Sequence, residues 1–262
     1  LYLAEDLIPL FMKTRFVLLF TLSLILFVGC AEVMNVIQSP AGVPLTEEEV
    51  VRGLKEALST GARNSAGRLS LENGYYGDPL VKILLPDEAK TIVDNISKIP
   101  GGEKLVEDVI LRINRAAEDA AKEAAPIFIS AVTQMTIKDA FNILHGPDNA
   151  ATTYLRNTTW NELYSLYKPK IGNSTEKNIV GDISTKDSWV ALTAKWNSVA
   201  NSVAGKIAGL KPVNTDLDDF LTTRALQGMF LKVEGEELKI RKDISARTTP
   251  LLKRVFGSLD GI

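Results

Sequence analysis

The sequence predicts an all-α protein, a single multi-helix domain that follows a cleaved N-terminal signal and a short tether. Three observations carry that expectation. Helix punctuation recurs from Leu45 onward, and apolar residues repeat at three- and four-residue spacing along most of the remaining chain. No run of useful length alternates with the period of two that a half-buried strand requires. The 262 residues are long enough to bury a core in one or two domains. Lys+Arg 30 against Asp+Glu 32 leaves a net charge of −2, which offers no electrostatic footprint for nucleic acid. One cysteine and one histidine exclude an intramolecular disulfide and a Cys/His zinc centre. No cofactor is expected.

Residues 1–29 hold about 20 apolar side chains, and their order is that of an export signal rather than of a core. Met12-Lys13-Thr14-Arg15 is a basic start, Phe16 to Val28 is nearly all apolar, and Gly29-Cys30 follows. Thirteen residues fall short of the roughly 20 that a helix needs to cross a bilayer. Leu1 to Phe11 carry Glu5, Asp6 and Pro9, which suit an over-extended start with Met12 as initiator. Leu26-Phe27-Val28-Gly29-Cys30 resembles a bacterial lipobox, with Phe27 departing from the usual Leu. That resemblance implies acylation at Cys30, which would then be the new N-terminus and unavailable for catalysis. Residues 30–45 then form the acylated cysteine and a flexible tether. With no Asp after Cys30, lipoprotein sorting rules imply an outer-membrane anchor; the expected side is the periplasmic one, with the outer surface as the alternative, since Glu32 alone is no acidic export run.

The helical domain is expected over 46–259. Thr46-Glu47-Glu48-Glu49 is a capping box, flanked by Leu45 and Val50 as a hydrophobic staple, and it opens a helix to about residue 62. Asn73 through Pro79 is turn chemistry, and Leu80 to Leu85 is a loop or brief strand ended by Pro86. Helix resumes at Asp87, with Ile92, Val93, Ile96 and Ile99 on one side, and stops at Pro100-Gly101-Gly102. The pattern from Leu105 to Ala124 predicts a long central helix, kinked near Pro126 because proline removes a donor and clashes with the preceding turn.

Thr136 is expected to cap the next helix, which His145-Gly146-Pro147 ends. Another helix is predicted from Asp148 to Tyr167, broken by Lys168-Pro169-Lys170, with a polar and disordered stretch over Gly172–Thr185. Trp189, Leu192, Trp196, Val199 and Val203 mark a further amphipathic helix. Asp216 caps the last long helix, and Pro250 opens a short closing one.

Catalytic motifs are absent: no nucleophile elbow, P-loop, His-Glu-x-x-His helix or dinucleotide turn appears. His145 precedes Gly146-Pro147 at a helix end, where the macrodipole favours an imidazole for structural reasons. Glu118, one turn after Asn114 and bordering the Ala117 and Ala121 face, is the carboxylate placed to serve as an acid in a glycosidase-like pair. Asp139 is the second catalytic candidate. The alternative for both is a hydrogen-bonding role at helix ends. Convergence of Asn114, Glu118, Asp139 and Arg156 on one cavity would separate a catalytic pocket from a structural network. Glu236, Glu237, Arg241 and Lys242 read as a solvated, charge-paired helix face. Tyr75 and Tyr76 either present rings to a sugar or headgroup or pack back as a loop anchor.

Several segments together resemble an uncharacterised bacterial family known as domain of unknown function 4197. They include Gly53-Leu54-Lys55-Glu56-Ala57-Leu58, Asn73-Gly74-Tyr75-Tyr76, Asn114-Arg115-Ala116-Ala117-Glu118, Ala225-Leu226-Gln227-Gly228-Met229-Phe230 and Leu251-Leu252-Lys253-Arg254-Val255-Phe256. The resemblance spans about 46 to 257 and implies an exported or lipid-anchored helical protein without supplying an activity. The expectation is a non-enzymatic binding or interaction module, held at the membrane by its lipid and engaging a protein or an apolar ligand. The alternative is a cell-envelope hydrolase using carboxylates around Glu118.

Overall fold

A computed structural model describes residues 43–95, 102–213 and 216–260. Cys30, the predicted signal and nearly all of the tether lie outside the described residues, as do Ile96, Ile99 and Pro100-Gly101. Contacts divide the chain into residues 1–44 and 45–262, and the second unit holds its own core, built from Val50 to Phe256. The described residues form ten α-helices and two short 3-10 turns, with no strand. The all-α expectation holds.

Helix α1 (Glu47–Leu69) begins at the predicted capping box: Thr46 Oγ1 accepts from Glu49 N at 3.2 Å, and Thr46 N donates to Glu49 Oε2 at 3.1 Å. It runs past the predicted stop at residue 62. Gly61, Asn64 and Gly67 lower local helix propensity, but Ala62, Ser65, Ala66 and Leu69 continue the buried face, and burial overrides propensity. Instead of the predicted continuous helix, the chain after Pro86 forms a 3-10 turn (Asp87–Ala89) and then α2 (Lys90–Asn95).

The predicted central helix kinked near Pro126 is two helices, α3 (Gly102–Ala121) and α4 (Ala124–Gln134). The break at Lys122–Glu123 lies upstream of the proline because the ring of Pro126 conflicts with the carbonyl four residues before it, that of Lys122. Pro126 itself sits in the first turn of α4, where its missing N–H would have no intrahelical partner. Helix α5 (Ala140–Leu144) starts at Asp139 in the left-handed region, φ 60°, so Thr136 is not its cap.

Helix α6 (Ala150–Thr175) passes straight through Pro169, contrary to the predicted break. Its last turn is retained because Ile171, Ser174 and Thr175 are buried, with Ser174 Oγ donating to Asp119 at 2.9 Å and Thr175 Oγ1 to Asp218 at 2.8 Å. The stretch read as disordered thus begins as helix. It continues as a loop whose Val180 and Ile183 carbonyls both accept from Arg112, and ends at Ser184, the cap of α7 (Thr185–Asn201). Trp189, Leu192 and Trp196 of α7 are buried as expected, whereas Val199 and the Val203 of α8 (Val203–Ile207) face outward. Helix α9 (Leu217–Lys242), capped by Asp216, and α10 (Pro250–Gly257) complete the domain.

The most extensive helix–helix interface joins α1 to α9, with α4, α6 and α10 packed around that pair. Close approach depends on missing side chains. A Cβ on Gly53 would stand 2.7 Å from Val255 Cγ2 of α10, and one on Gly228 of α9 would stand 2.9 Å from the Tyr75 ring.

The predicted solvated face of α9 is instead buried. Glu237 accepts from Ala151 N (3.0 Å), Thr152 N (2.7 Å) and Thr152 Oγ1 (2.6 Å) at the start of α6, and from Arg241 Nε (2.8 Å). Arg241 donates onward to the Leu144 and Ile143 carbonyls at the end of α5, at 2.6 and 3.0 Å. One ion pair therefore meets both helix ends with the sign each dipole favours. The i to i+4 spacing was legible in sequence, but its burial depends on two helix ends nearly a hundred residues away.

Removing one member of this pair strands the other inside the core. Arg241→Met is expected to lower unfolding free energy by about 3–5 kcal/mol. Glu237→Gln combined with Arg241→Met should cost less than the sum of the two single changes, as measured by urea unfolding; strict additivity would contradict the coupling.

Candidate functional site

The segment between α1 and α2 is a run of turns followed by a short irregular stretch before the 3-10 turn, and side chains from two helices fix its path. Asn73 takes a left-handed φ of 67°, and Gly74 follows where a Cβ would lie 2.5 Å from the Arg68 carbonyl oxygen. This tight turn sends Tyr75 inward. Its ring is fully buried against Gly228, and its hydroxyl donates to the Ala225 carbonyl at 2.9 Å. Burial first, then neighbouring Tyr167 and the charge of Glu118, pushes the Tyr75 phenol well above its ordinary range. Of the two readings of this tyrosine, the structure shows the loop anchor. Tyr76 is half-buried, with Lys82 Nζ 4.0 Å from its ring centroid.

Asn114 and Glu118 of α3 hold the loop by its backbone. Glu118 Oε1 accepts from Tyr75 N and Tyr76 N, each at 3.0 Å, and Oε2 accepts from Arg115 at 2.5 Å. Arg115 reaches on to Glu72 at 3.1 Å and Asn73 at 3.0 Å. Asn114 Oδ1 accepts from Ile83 N at 2.9 Å while its Nδ2 donates to Ile83 O at 2.7 Å and to Ile110 O at 2.8 Å. A primary amide thus pairs with one residue of an extended segment as a neighbouring strand would. At the other side, Asp78 pairs with Lys232 of α9, and that bond holds its carboxyl below the usual value despite partial burial.

Asp139 and Arg156 are not joined to this arrangement by any hydrogen bond or ion pair among the described residues. Asp139 is exposed at the start of α5 and accepts from Asn142. Arg156 lies on α6 with its guanidinium 5.0 Å from the Phe230 ring. His145 sits at the C-cap of α5, exposed, with Nδ1 2.9 Å from the Phe141 carbonyl oxygen. Cys30 lies outside the described residues. No group of three or more His, Cys, Asp or Glu among the described residues is placed to hold a metal.

Two concave surfaces flank the clamped loop. A depression of about 560 Å³ is lined by Glu72, Arg115, Glu118, Asp119 and Lys122 together with Gly181. Its charges are largely paired among themselves: Asp119 accepts from Lys177 at 2.6 Å, Lys122 at 2.9 Å and Ser174 at 2.9 Å. Burial raises the Asp119 carboxyl, but these bonds prevail and bring it down to about 2. On the other side, a groove of about 310 Å³ runs between residues 80–85 and α9, its lining mixed: Leu80, Leu84 and Leu231 alternate with Lys82, Arg224 and Gln227. Leu80 is 73% and Leu84 60% exposed, and Leu231 is also exposed. Leu80 and Leu231 continue into a second hollow with Leu238. The apolar run 80–85 was visible in sequence, but nothing there showed that α9 would supply the other wall.

These observations define an all-α domain carrying a polar, side-chain-clamped loop beside an open apolar groove. Residues 44–257 match the family described as "Protein of unknown function (DUF4197)", and the chain belongs to that family. No curated protein and no solved structure gives a significant match.

Glu118→Ala should leave the Tyr75 and Tyr76 amides and the Arg115 guanidinium without their acceptor, at a cost of about 1–3 kcal/mol or more. Hydrogen exchange at those two amides should accelerate; unchanged protection would show that the carboxylate does not hold the loop. Asp119→Asn tests the other flank through pH. The carboxyl falls from 3.8 to about 2 on folding, so its stabilisation is complete above 3.8 and disappears as pH drops through 2. The stability gap between wild type and this variant should close over that interval in acid titrations, and a gap independent of pH would contradict the assignment.

Proposed function

We propose that this protein is a bacterial envelope lipoprotein, acylated at Cys30 and anchored in the outer membrane facing the periplasm, whose helical body is a non-enzymatic binding module. The groove between residues 80–85 and α9 is the observation that carries the binding role. Leu80, Leu84 and Leu231 are exposed on one groove, beside Lys82, Asp87, Arg224 and Gln227, and apolar side chains gathered on a concave surface with polar groups around them suit an interaction site. The wall formed by 80–85 begins in a turn, where the Asp78 carbonyl accepts from Val81 N and Lys82 N, and continues from Lys82 outside any helix. Its Ile83 backbone faces Asn114, so alternation turns the Leu84 backbone groups away from α3. An apolar peptide segment of a protein partner fits such a wall, taking side-chain burial from the leucines and main-chain pairing from Leu84.

The hydrolase alternative receives less support. Both oxygens of Glu118 accept bonds from the chain itself, and Asp139 stands on a separate element. An acid–base pair requires two carboxylates facing one substrate.

Two experiments test the two halves of this reading. A clickable fatty acid fed to cells should label the wild-type protein and not Cys30→Ala, and equal labelling of both would refute acylation at that residue. For the groove, a photo-crosslinking amino acid in place of Leu84 should trap one discrete envelope component, lost when Leu80→Asp or Leu231→Asp is added. Crosslinking that survives both substitutions, or none at all, would remove the groove as the binding site.

A further inference from the structure

Helices α7 and α8 carry a surface that neither the core nor the groove uses. Helix α8 packs principally on α7, and the chain returning from it is fastened to α7 at two points. Trp196 Nε1 donates to the Lys211 carbonyl at 2.9 Å, and Asn197 pairs with both backbone groups of Val213, at 2.7 and 3.0 Å. Gly209, φ +71°, ends α8, with Leu210 N returning to the Gly205 carbonyl at 2.9 Å. The tip is therefore a defined shape. Its outward side chains include three large apolar ones, Val199 at 50% exposure, Val203 at 78% and Ile207 at 83%, beside exposed Ser198, Asn201, Ser202 and Lys206. These three are spaced by four residues and accompanied by small residues such as Ala204 and Ala208.

The charge carried by this stretch of chain has one sign, between Asp187 before it and Asp216 after it. From Ser188 to Thr215 the chain contains Lys195, Lys206 and Lys211 and no Asp or Glu, in a protein whose acids outnumber its bases. Exposed valine and isoleucine on a stretch whose charged residues are the exposed Lys195, Lys206 and Lys211 match the two requirements of an interfacial anchor, apolar insertion at the acyl boundary and cationic contact with anionic headgroups. No described helix is long and apolar enough to cross a membrane, so insertion here is superficial.

From this juxtaposition we infer that the α7–α8 tip docks on the surface of a bilayer rich in anionic phospholipid. The inference is independent of acylation at Cys30 and adds a second membrane contact, one that fixes which side of the body faces the lipid. The occupant is argued from charge complementarity: the uniform positive sign fits a phospholipid surface and would repel the same tip of a second copy.

The test uses residues 31–262, which retain the complete core and lack the acylation site, in co-sedimentation with vesicles at low salt. Binding to phosphatidylglycerol/phosphatidylethanolamine vesicles and not to phosphatidylcholine is expected, weakening as salt rises. Val203→Asp with Ile207→Asp should abolish it, and because both residues are exposed the circular dichroism spectrum should not change. Each lysine near the surface contributes about fivefold to partitioning, so Lys206→Gln with Lys211→Gln should weaken binding about 25-fold. Absence of sedimentation with anionic vesicles, equal binding to neutral ones, or indifference to both double variants would overturn the proposal. So would concentration-dependent dimerisation lost in Val203→Asp with Ile207→Asp, which would assign the surface to a second copy.

Discussion

Every backbone amide and carbonyl that a fold buries needs a partner, and this domain meets that constraint with side chains sent from distant helices. The amide of Asn114 pairs with Ile83, the carboxylate of Glu118 receives two loop amides, and Glu237 receives the first free amides of α6. Arg241 and Arg247 do the converse for carbonyls, Arg241 at the end of α5 and Arg247 at the end of α9 through Ile240 at 2.9 Å and Arg241 at 3.0 Å. The last carbonyls of short α5, at Ile143 and Leu144, and a loop that pairs with no sheet are satisfied in this way. Glu118, Glu237, Arg241 and Arg247 are thus fasteners for backbone, whereas buried Glu236 pairs with the side chains of Asn64, Arg68 and Lys239.

The same economy governs spacing. Tyr75 can enter the interior because Gly228 leaves room for its ring, and α10 can lie against α1 because Gly53 leaves room for Val255. Glu49 links the two ends of the domain, since the residue completing the capping box of α1 also pairs with Arg254 of α10 at 2.9 Å. Its carboxyl is held below the ordinary value by the Arg254 bond first and by the Thr46 amide second. Glu236 shows the balance at a half-sequestered position: burial raises its carboxyl, and the bonds from Lys239 and Asn64 with the charge of Arg68 lower it further.

With the polar interior committed to holding the chain in place, the surface carries what remains for recognition. Two apolar features are exposed on the described domain at places fixed by these fasteners. The groove's walls are fixed because Asn114 and Glu118 hold the loop to α3 while the Asp78–Lys232 pair ties it to α9. The α7–α8 tip exists because Trp196 and Asn197 tie its return path down. Neither is a consequence of local sequence preference.

The sequence by itself determined the all-α class, the capping box at Thr46, the cap at Asp216, the opening of α10 at Pro250 and the family, because each follows from local chemistry or from the pattern of residues along the chain. It misplaced boundaries wherever burial overrode local propensity, as at Gly67 and Pro169, where an inward face kept the helix going. Only the tertiary structure decided that Glu237 and Arg241 are interior, that Asn114 and Glu118 act on backbone, that Asp139 and Arg156 stand elsewhere, and that residues 80–85 have α9 as a facing wall. The physical reason is range. Caps and helical periodicity are encoded within a few residues, whereas the partner of a buried charge or of a loop amide is chosen by packing between elements 40 to 150 positions apart.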